Sequence, residues 1–501
     1  MSRTAQHLSR RALVTGLLAG FAAPLAAGAP DVSLRPAPRP AHGGAPSLSQ
    51  IGARLVERAN LTGQVSYIAA DMASGEILDA RAPDIALPPA SVVKAITALY
   101  ALHRLGPDHR FRTRLLATGP VRGGRLEGDL ILTGGGDPTL DTDGLAALVR
   151  DLRAAGVQRV AGRLRIHAGA LPSIPNIDPA QPDEAGYNPT IAGLNLNFNR
   201  VHFGWERNAT GYDVVMDARG RQHRPQVHMA QMQVVDRTSP VYTYENNGGR
   251  DHWTVSRGAL GNGGSRWLPV RNPALYAAEV FAALARDAGI ALPEITLAAP
   301  QARAADVLAS HDSPPLTGIV EDMLRYSTNL TAEALGLAAT LATGTAAPDL
   351  QRSARSMAEW ARDRYGLGGL PRLVDHSGLG GDARITSADM LRVLTHPDGR
   401  RLRPLLRDIT VRDSTGAPDY NSPLSIKAKT GTLNFVSGLG GYAATAANNE
   451  IAFIIIAADA ARRDSLPPEA MIRPPGGRAW LSRARTLQQQ LIQGWAEAID
   501  S

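Results

Sequence analysis

Three short motifs sit far apart in this chain, and a fold that uses their chemistry has to bring them to one place. They are Ser91-x-x-Lys94, Ser327-x-Asn329 and Lys429-Thr430-Gly431-Thr432. Ser91 and Ser327 are 236 positions apart, so the first two motifs cannot meet through local structure. Lysine usage singles out the first and third. Of 53 Lys and Arg residues, only Lys94, Lys427 and Lys429 are lysine. Arginine cannot serve as a base near neutral pH, because its pKa lies above about 12. A buried lysine can, because desolvation and nearby cations lower its pKa. The chain keeps a titratable amine at two places, and both fall inside motifs.

The local chemistry is coherent. Residues i and i+3 share one helix face, which lets Lys94 reach Ser91 Oγ. Pro88-Pro89 ends extended structure, and Ser91 is expected to open a helix through Val92, Ile96, Leu99 and Leu102, ended by Gly106-Pro107. A serine hydroxyl is a poor nucleophile until a base takes its proton, and a neutral Lys94 would be that base. The free N–H groups and positive end of a helix start would help Ser91 and an oxyanion. Ser327 offers a hydroxyl to relay a proton; Asn329 offers an amide to hold Lys94 and a substrate carbonyl. Lys429 and Gly431 share one face of an expected strand. The Lys429 charge, with the hydroxyls of Thr430 and Thr432, suits a substrate carboxylate and is expected to hold Lys94 neutral. Gly431 is expected to leave room for a substrate backbone along the strand edge.

Along the chain, residues 1–29 read as an export signal. Arg3, Arg10 and Arg11 precede an uncharged stretch over 12–30, and Ala26-Ala27-Gly28-Ala29 offers small residues for cleavage. Ser9-Arg10-Arg11-Ala12-Leu13 fits a twin-arginine signal about as well as a secretory one. Five prolines mark 30–46 as a linker. Residues 47–115 and 306–501 read as one α/β domain. It begins with a helix over 47–59 that Ser49 can cap and a hairpin over 64–79. After 306, helices are expected at 316–326, 330–343, 353–365 and 386–396. A strand at 425–432, a hairpin of 436–445 with 451–458 around Asn448-Asn449 and a last helix at 479–499 complete it. Between them, 116–305 reads as an inserted β-rich region of one or two subdomains. Strands are expected at 125–133, 157–167, 194–205, 212–216, 225–236 and 250–257, helices at 143–155 and 274–288, and a Pro-, Asp- and Asn-rich loop at 171–190.

Composition excludes several classes. The formal charge is +7, yet the arginines are dispersed and form no basic run, so no nucleic-acid partner is expected. With no cysteine, disulfides, a lipoprotein anchor and thiol chemistry are excluded. Gly134-Gly135-Gly136 lacks the lysine of a phosphate loop. No histidine pair has zinc spacing with a glutamate. No metal or other cofactor is expected.

The three motifs, in this order, occur together in penicillin-binding proteins and serine β-lactamases. Further stretches narrow the match: Gly128-Asp129-Leu130 leading to Gly134-Gly135-Gly136-Asp137-Pro138, Leu194-Asn195-Leu196-Asn197-Phe198-Asn199, Asp375-His376-Ser377-Gly378-Leu379, and Lys429-Thr430-Gly431-Thr432-Leu433 followed by Gly441-Tyr442. With them the chain resembles the D-alanyl-D-alanine carboxypeptidase/endopeptidase serine peptidases of the DacB type, low-molecular-mass penicillin-binding proteins. The resemblance implies a transpeptidase/β-lactamase-like α/β fold, an antiparallel sheet flanked by helices and interrupted by a large insert. It implies a Ser91 acyl-enzyme, with Lys94, Ser327 and Asn329 catalytic and Lys429, Thr430, Gly431 and Thr432 binding substrate. The backbone N–H groups of Ser91 and Thr432 would form the oxyanion hole. The substrate would be a peptidoglycan stem peptide ending in D-Ala-D-Ala, or its cross-link. β-Lactams would be acylating inhibitors, and the site of action the periplasm, with no stable membrane span once the signal is removed. His376 departs from the glycine usual in the family and is expected to be a loop residue rather than a substrate contact; Gly380-Gly381 replaces a more polar pair. A serine β-lactamase or esterase on the same fold is one alternative, although no Glu-x-x-x-Asn pattern lies between 330 and 428. A non-catalytic penicillin-binding sensor is another.

Overall fold

The computed structural model describes residues 47–297, 305–467 and 470–501. The expected signal and linker lie outside the described residues. Among those described, no helix is long and apolar enough to cross a membrane.

The run Ile451 to Ala458 has no polar residue, and its surroundings explain why. It lies within strand Glu450–Ala458, near the centre of a six-stranded antiparallel sheet. The order is Arg407–Asp408, Ser425–Leu433, Val436–Ala444, Glu450–Ala458, Gln64–Asp71, Ile77–Arg81. Successive side chains alternate between two cores, as the pleat requires. Ile454 and Ile456 enter a core with helices Lys94–Leu105, Leu316–Tyr326, Asn329–Leu341, Leu350–Tyr365 and Ser387–Thr395. Phe453 and Ile455 enter the other, against Trp480, Leu487, Leu491 and Trp495 of helix Gly477–Ile499 and Leu55 of helix Leu48–Ala59. At the hairpin, Asn448 takes the left-handed conformation expected of Asn in a tight turn.

A second, five-stranded sheet is ordered Ile295–Leu297, Leu164–His167, Leu130–Thr133, Arg112–Ala117, Asp306–Asp312. Helices Thr142–Ala154 and Pro273–Asp287 pack on it with Leu145, Leu148, Phe281 and Leu284. Two three-stranded sheets follow, one of Arg200–Arg207, Tyr212–Asp217 and Gly263–Pro269, the other of Ala230–Val235, Tyr242–Asn247 and Arg250–Ser256. The chain leaves the helical layers through Arg112–Ala117 and returns through Asp306–Asp312, and these two strands pair antiparallel. Their adjacency lets a large segment leave and rejoin one place on its host.

Several local expectations change. Ser47, not Ser49, caps the first helix, in a reciprocal box with Gln50. The strands expected at 125–133 and 157–167 are each broken. Their inner pieces, Leu130–Thr133 and Leu164–His167, join the five-stranded sheet, while Arg125–Leu126 and Arg159–Val160 pair in a small separate one. Residues 197–199 form a 3₁₀ turn before strand Arg200–Arg207 instead of continuing it. Strands Gly263–Pro269 and Asp306–Asp312 have no counterpart among the expected elements; each forms against a distant partner.

Candidate active site

Ser91 lies in a 3₁₀ turn, Ala90–Val93, and the α-helix begins only at Lys94. The expected helix start at Ser91 is thus one tight turn early. Ala90 explains part of this. Its left-handed φ of 46° is incompatible with α-helix and turns the chain sharply before the serine. The turn rests on strand Ser425–Leu433. A Cβ at Gly431 would meet Pro89 O at 2.8 Å and Ser91 N at 3.0 Å, so the space that Gly431 leaves is occupied by the serine's own turn.

Lys94 is wholly buried, and its Nζ has three neighbours. They are Ser91 Oγ at 2.8 Å, Asn329 Oδ1 at 2.8 Å and the Ser377 carbonyl oxygen at 2.7 Å. Two of these oxygens only accept hydrogen bonds, while a hydroxyl both donates and accepts. An ammonium donates to all three; once it loses a proton, two N–H groups keep Asn329 and Ser377 and the lone pair turns to the Ser91 hydroxyl. The Asn329 amide is oriented from its other side, where Nδ2 donates to the Tyr187 carbonyl at 2.9 Å. Tyr187 belongs to the 171–190 loop. Three backbone carbonyls of that loop, those of Pro175, Asp183 and Asn188, accept from the Arg271 guanidinium at 2.9–3.1 Å. Leu171, Ile177 and Ile191 pack the same segment against Leu330, Ala334 and Leu337 of helix Asn329–Leu341.

Ser327 ends helix Leu316–Tyr326 in the left-handed conformation (φ 59°), and Asn329 starts the next helix. This break brings both side chains to the site: Lys429 Nζ donates to Ser327 Oγ at 3.0 Å, as Lys94 does to Asn329. Lys429 also donates to the Thr430 carbonyl at 2.8 Å, so the backbone of Thr430, not its hydroxyl, meets the amine. An open cleft over these groups is lined by Ser91, Tyr187, Ser327, Asn329, Thr432 and Leu433 among others. Lys427 stands apart, paired with Asp408 at the surface.

Electrostatics order the two amines differently from the sequence-based expectation. Burial pushes Lys94 down to about 8, opposed by the carboxylates of Glu333 and Asp375. Burial, then the Lys94 charge and Arg407, push Lys429 down to about 6. Anions lie near Lys94, whereas cations face Lys429. Two buried amines this close disfavour holding two protons, and in the free cleft the single proton favours Lys94.

Four contributors have no role in the expectations above: the carbonyls of Ser377 and Tyr187, and the carboxylates of Glu333 and Asp375, although Ser377 and Asp375 lie in a stretch quoted there. Backbone carbonyls leave no residue-type signature. Glu333 does leave one, as the single charge in the apolar stretch 330–343. It is fully buried and accepts from His376 N at 3.0 Å, His376 Nδ1 at 2.8 Å and Ser377 N at 2.9 Å. Asp375 accepts from Gly378 N and Gly380 N, each at 2.6 Å. His376 is a loop residue, as expected, and no substrate can touch it, because it is buried behind Lys94.

The family model described as "D-Ala-D-Ala carboxypeptidase 3 (S13) family" matches residues 48–472. The chain belongs to this S13 family. It is 25% identical over 433 residues to D-alanyl-D-alanine carboxypeptidase DacB of Haemophilus influenzae, covering 81% of this chain and 87% of that one. A D-alanyl-D-alanine carboxypeptidase of an Actinomadura species is 42% identical over 112 residues, 22% of this chain and 21% of that protein. The crystal structure of penicillin binding protein 4 from Haemophilus influenzae superposes with a TM-score of 0.72 at 20% identity, over 88% of this chain and 99% of that one. The fold of this S13 chain is therefore the penicillin-binding-protein fold, α/β with a large β-rich insert.

Gly378 shows how tightly the candidate site is built. Its φ is +73°, and a Cβ there would overlap the Ala90 carbonyl oxygen beside Ser91. The left-handed conformation alone costs a non-glycine residue about 1–2 kcal/mol. Gly378→Ala is expected to lower thermal stability by at least that much and to impair acylation of Ser91. A variant as stable and as reactive as wild type would show that the overlap relaxes without cost.

Proposed function

We propose that this chain is a serine D-Ala-D-Ala carboxypeptidase that works through an acyl-enzyme on Ser91. The observation that carries the reading is the arrangement at Lys94 Nζ, 2.8 Å from Ser91 Oγ, whose two carbonyl-type partners hold two N–H groups and leave Ser91 the third position, where a deprotonated amine presents its lone pair. A neutral Lys94 takes the Ser91 proton as Oγ attacks the carbonyl of the penultimate D-Ala. The Ser91 and Thr432 N–H groups receive the oxyanion. The proton passes by way of Ser327 to the amine of the leaving D-Ala, and water then releases the shortened peptide. Asn329 orients Lys94 and the substrate. Lys429, with Thr430 and Thr432, receives the terminal carboxylate, while Gly431 lets the strand lie against the Ser91 turn.

The inverted order of the two amines is then useful. In the free cleft the shared proton favours Lys94. A carboxylate arriving at Lys429 favours a charged Lys429, and that charge in turn favours a neutral Lys94. Substrate binding itself arms the base.

The substrate class is a peptidoglycan stem peptide, with β-lactams as acylating inhibitors. Endopeptidase action on cross-links is included in this reading. The place of action is the periplasm, reached through an export signal in residues 1–29, which the basic and apolar pattern there supports. The division into a catalytic part (47–115 and 306–501) and an insert (116–305) is part of the same reading.

The test is intact-mass measurement after incubation with penicillin, followed by peptide mapping. One adduct is expected, on Ser91. An adduct on another serine, or none on folded protein, defeats the proposal. Turnover of a D-Ala-D-Ala peptide separates a carboxypeptidase from a penicillin-binding sensor.

A further inference from the structure

His376 and Glu333 form a buried ion-pair geometry directly behind Lys94, and the mechanism above gives neither a task. Both are fully buried, with Nδ1 to Oε2 at 2.8 Å. The imidazole fills a slot that exists because position 336 is glycine: a Cβ there would overlap the ring. Its Nε2 lies 2.9 Å from Ser353 Oγ, which continues to Thr340 Oγ1 at 2.7 Å and Tyr100 OH at 3.2 Å. Its carbonyl accepts from Thr97 Oγ1 at 2.6 Å, one helical turn after Lys94. The next carbonyl in the chain, that of Ser377, holds Lys94 Nζ.

A carboxylate taken wholly out of water needs a compensating charge. Around Glu333 the charged and titratable groups are few. Lys94 faces it from helix Lys94–Leu105, Asp375 and His376 from their loop, while helix Leu350–Tyr365 contributes the neutral Ser353. Lys94 makes no hydrogen bond to Glu333; its three partners are neutral. Of the two cation-forming groups, only His376 touches the carboxylate. Burial raises Glu333, yet the bond and charge of His376 hold it below the usual carboxylate range. Asp375, buried and repelled by Glu333, is pushed up to about 6.

We infer that His376 is a positioning residue held as an imidazolium, which supplies the positive charge that Glu333 would otherwise draw from Lys94, leaving Lys94 free to act as a base. It also fixes the backbone that carries the Ser377 carbonyl. The inference rests on the reading of Lys94 as the base of Ser91 acylation.

Two measurements test it. In ¹⁵N-histidine spectra of the wild-type protein at neutral pH, the His376 ring, assigned through its contacts with Gly336, is expected to carry protons on both nitrogens. A neutral tautomer at neutral pH overturns the inference, and this result does not depend on any variant folding. His376→Asn retains a neutral donor toward Glu333 but no charge. With Glu333 uncompensated, Lys94 keeps its proton to higher pH, so the acid limb of penicillin acylation is expected to move up by about one pH unit. An unmoved limb in folded His376→Asn, whatever its melting temperature, reduces His376 to a structural residue. If wild-type protein is not acylated on Ser91, the function proposed above fails, while the spectra still decide the charge of His376.

Discussion

Lys94→Arg retains its positive charge and loses acylation by penicillin about 10²–10⁴-fold, the usual contribution of a positioned general base. The reason is chemical rather than steric. Burial brings Lys94 down to about 8, so a useful fraction is neutral near pH 7. A guanidinium keeps its proton throughout this range. It also has no lone pair to turn toward Ser91, while it offers more N–H groups than Asn329 and Ser377 can accept. Because the wild-type amine must be neutral to react, acylation rises with pH through the Lys94 titration. Lys94→Arg is expected to show no such rise below about pH 10. The site is fully packed, so a melting curve accompanies the kinetics and separates a misfolded variant from an inactive one. Near-normal acylation in folded Lys94→Arg removes Lys94 from the role of base.

Loss of Lys429 is the second large effect. The proposed carboxylate bond is charge-assisted and worth about 1.5–3 kcal/mol, roughly tenfold to a hundredfold in kcat/KM on a peptide with a free terminal carboxylate. Lys429→Ala should lose that factor on the free acid and much less on the corresponding amide. Once a bound carboxylate has charged Lys429, the same change also removes a cation beside Lys94. A cation nearby disfavours the ammonium of Lys94, so removing it raises the Lys94 pKa and moves the acid limb to higher pH. Lys429→Arg restores a charge and should recover part of the acid-over-amide preference. The planar fork fits poorly where an ammonium bridges Ser327 Oγ and the Thr430 carbonyl, so recovery is incomplete. Equal losses on acid and amide, with an unmoved pH profile, leave neither role standing.

The division of information between sequence and tertiary structure follows the range of the forces involved. The Ser91–Lys94 contact was legible because i and i+3 meet on any helical turn, even though the turn is 3₁₀. Lys429 was legible because lysine is rare in this chain, and Asn329 only through its order with the other two motifs. The central sheet was legible from its apolar runs. Glu333 was missed, although it is the single charge in an apolar helix; that signal does not reveal what it faces. Tertiary structure alone decided which carbonyls face Lys94, since every residue carries the same carbonyl and only docking selects Ser377 and, for Asn329, Tyr187. It decided that Asp306–Asp312 is a strand, because that segment is completed by Arg112–Ala117 from far earlier in the chain. It reversed the expected order of the two amines, because charges brought in by separate helices and strands outweigh the motif's own. It buried His376 in a slot shared by two helices, against a carboxylate 43 positions away. Periodicity and motif chemistry act over a few residues and are written in the sequence, whereas burial and the electric field at a point sum over every element packed around it and exist only once the chain has folded.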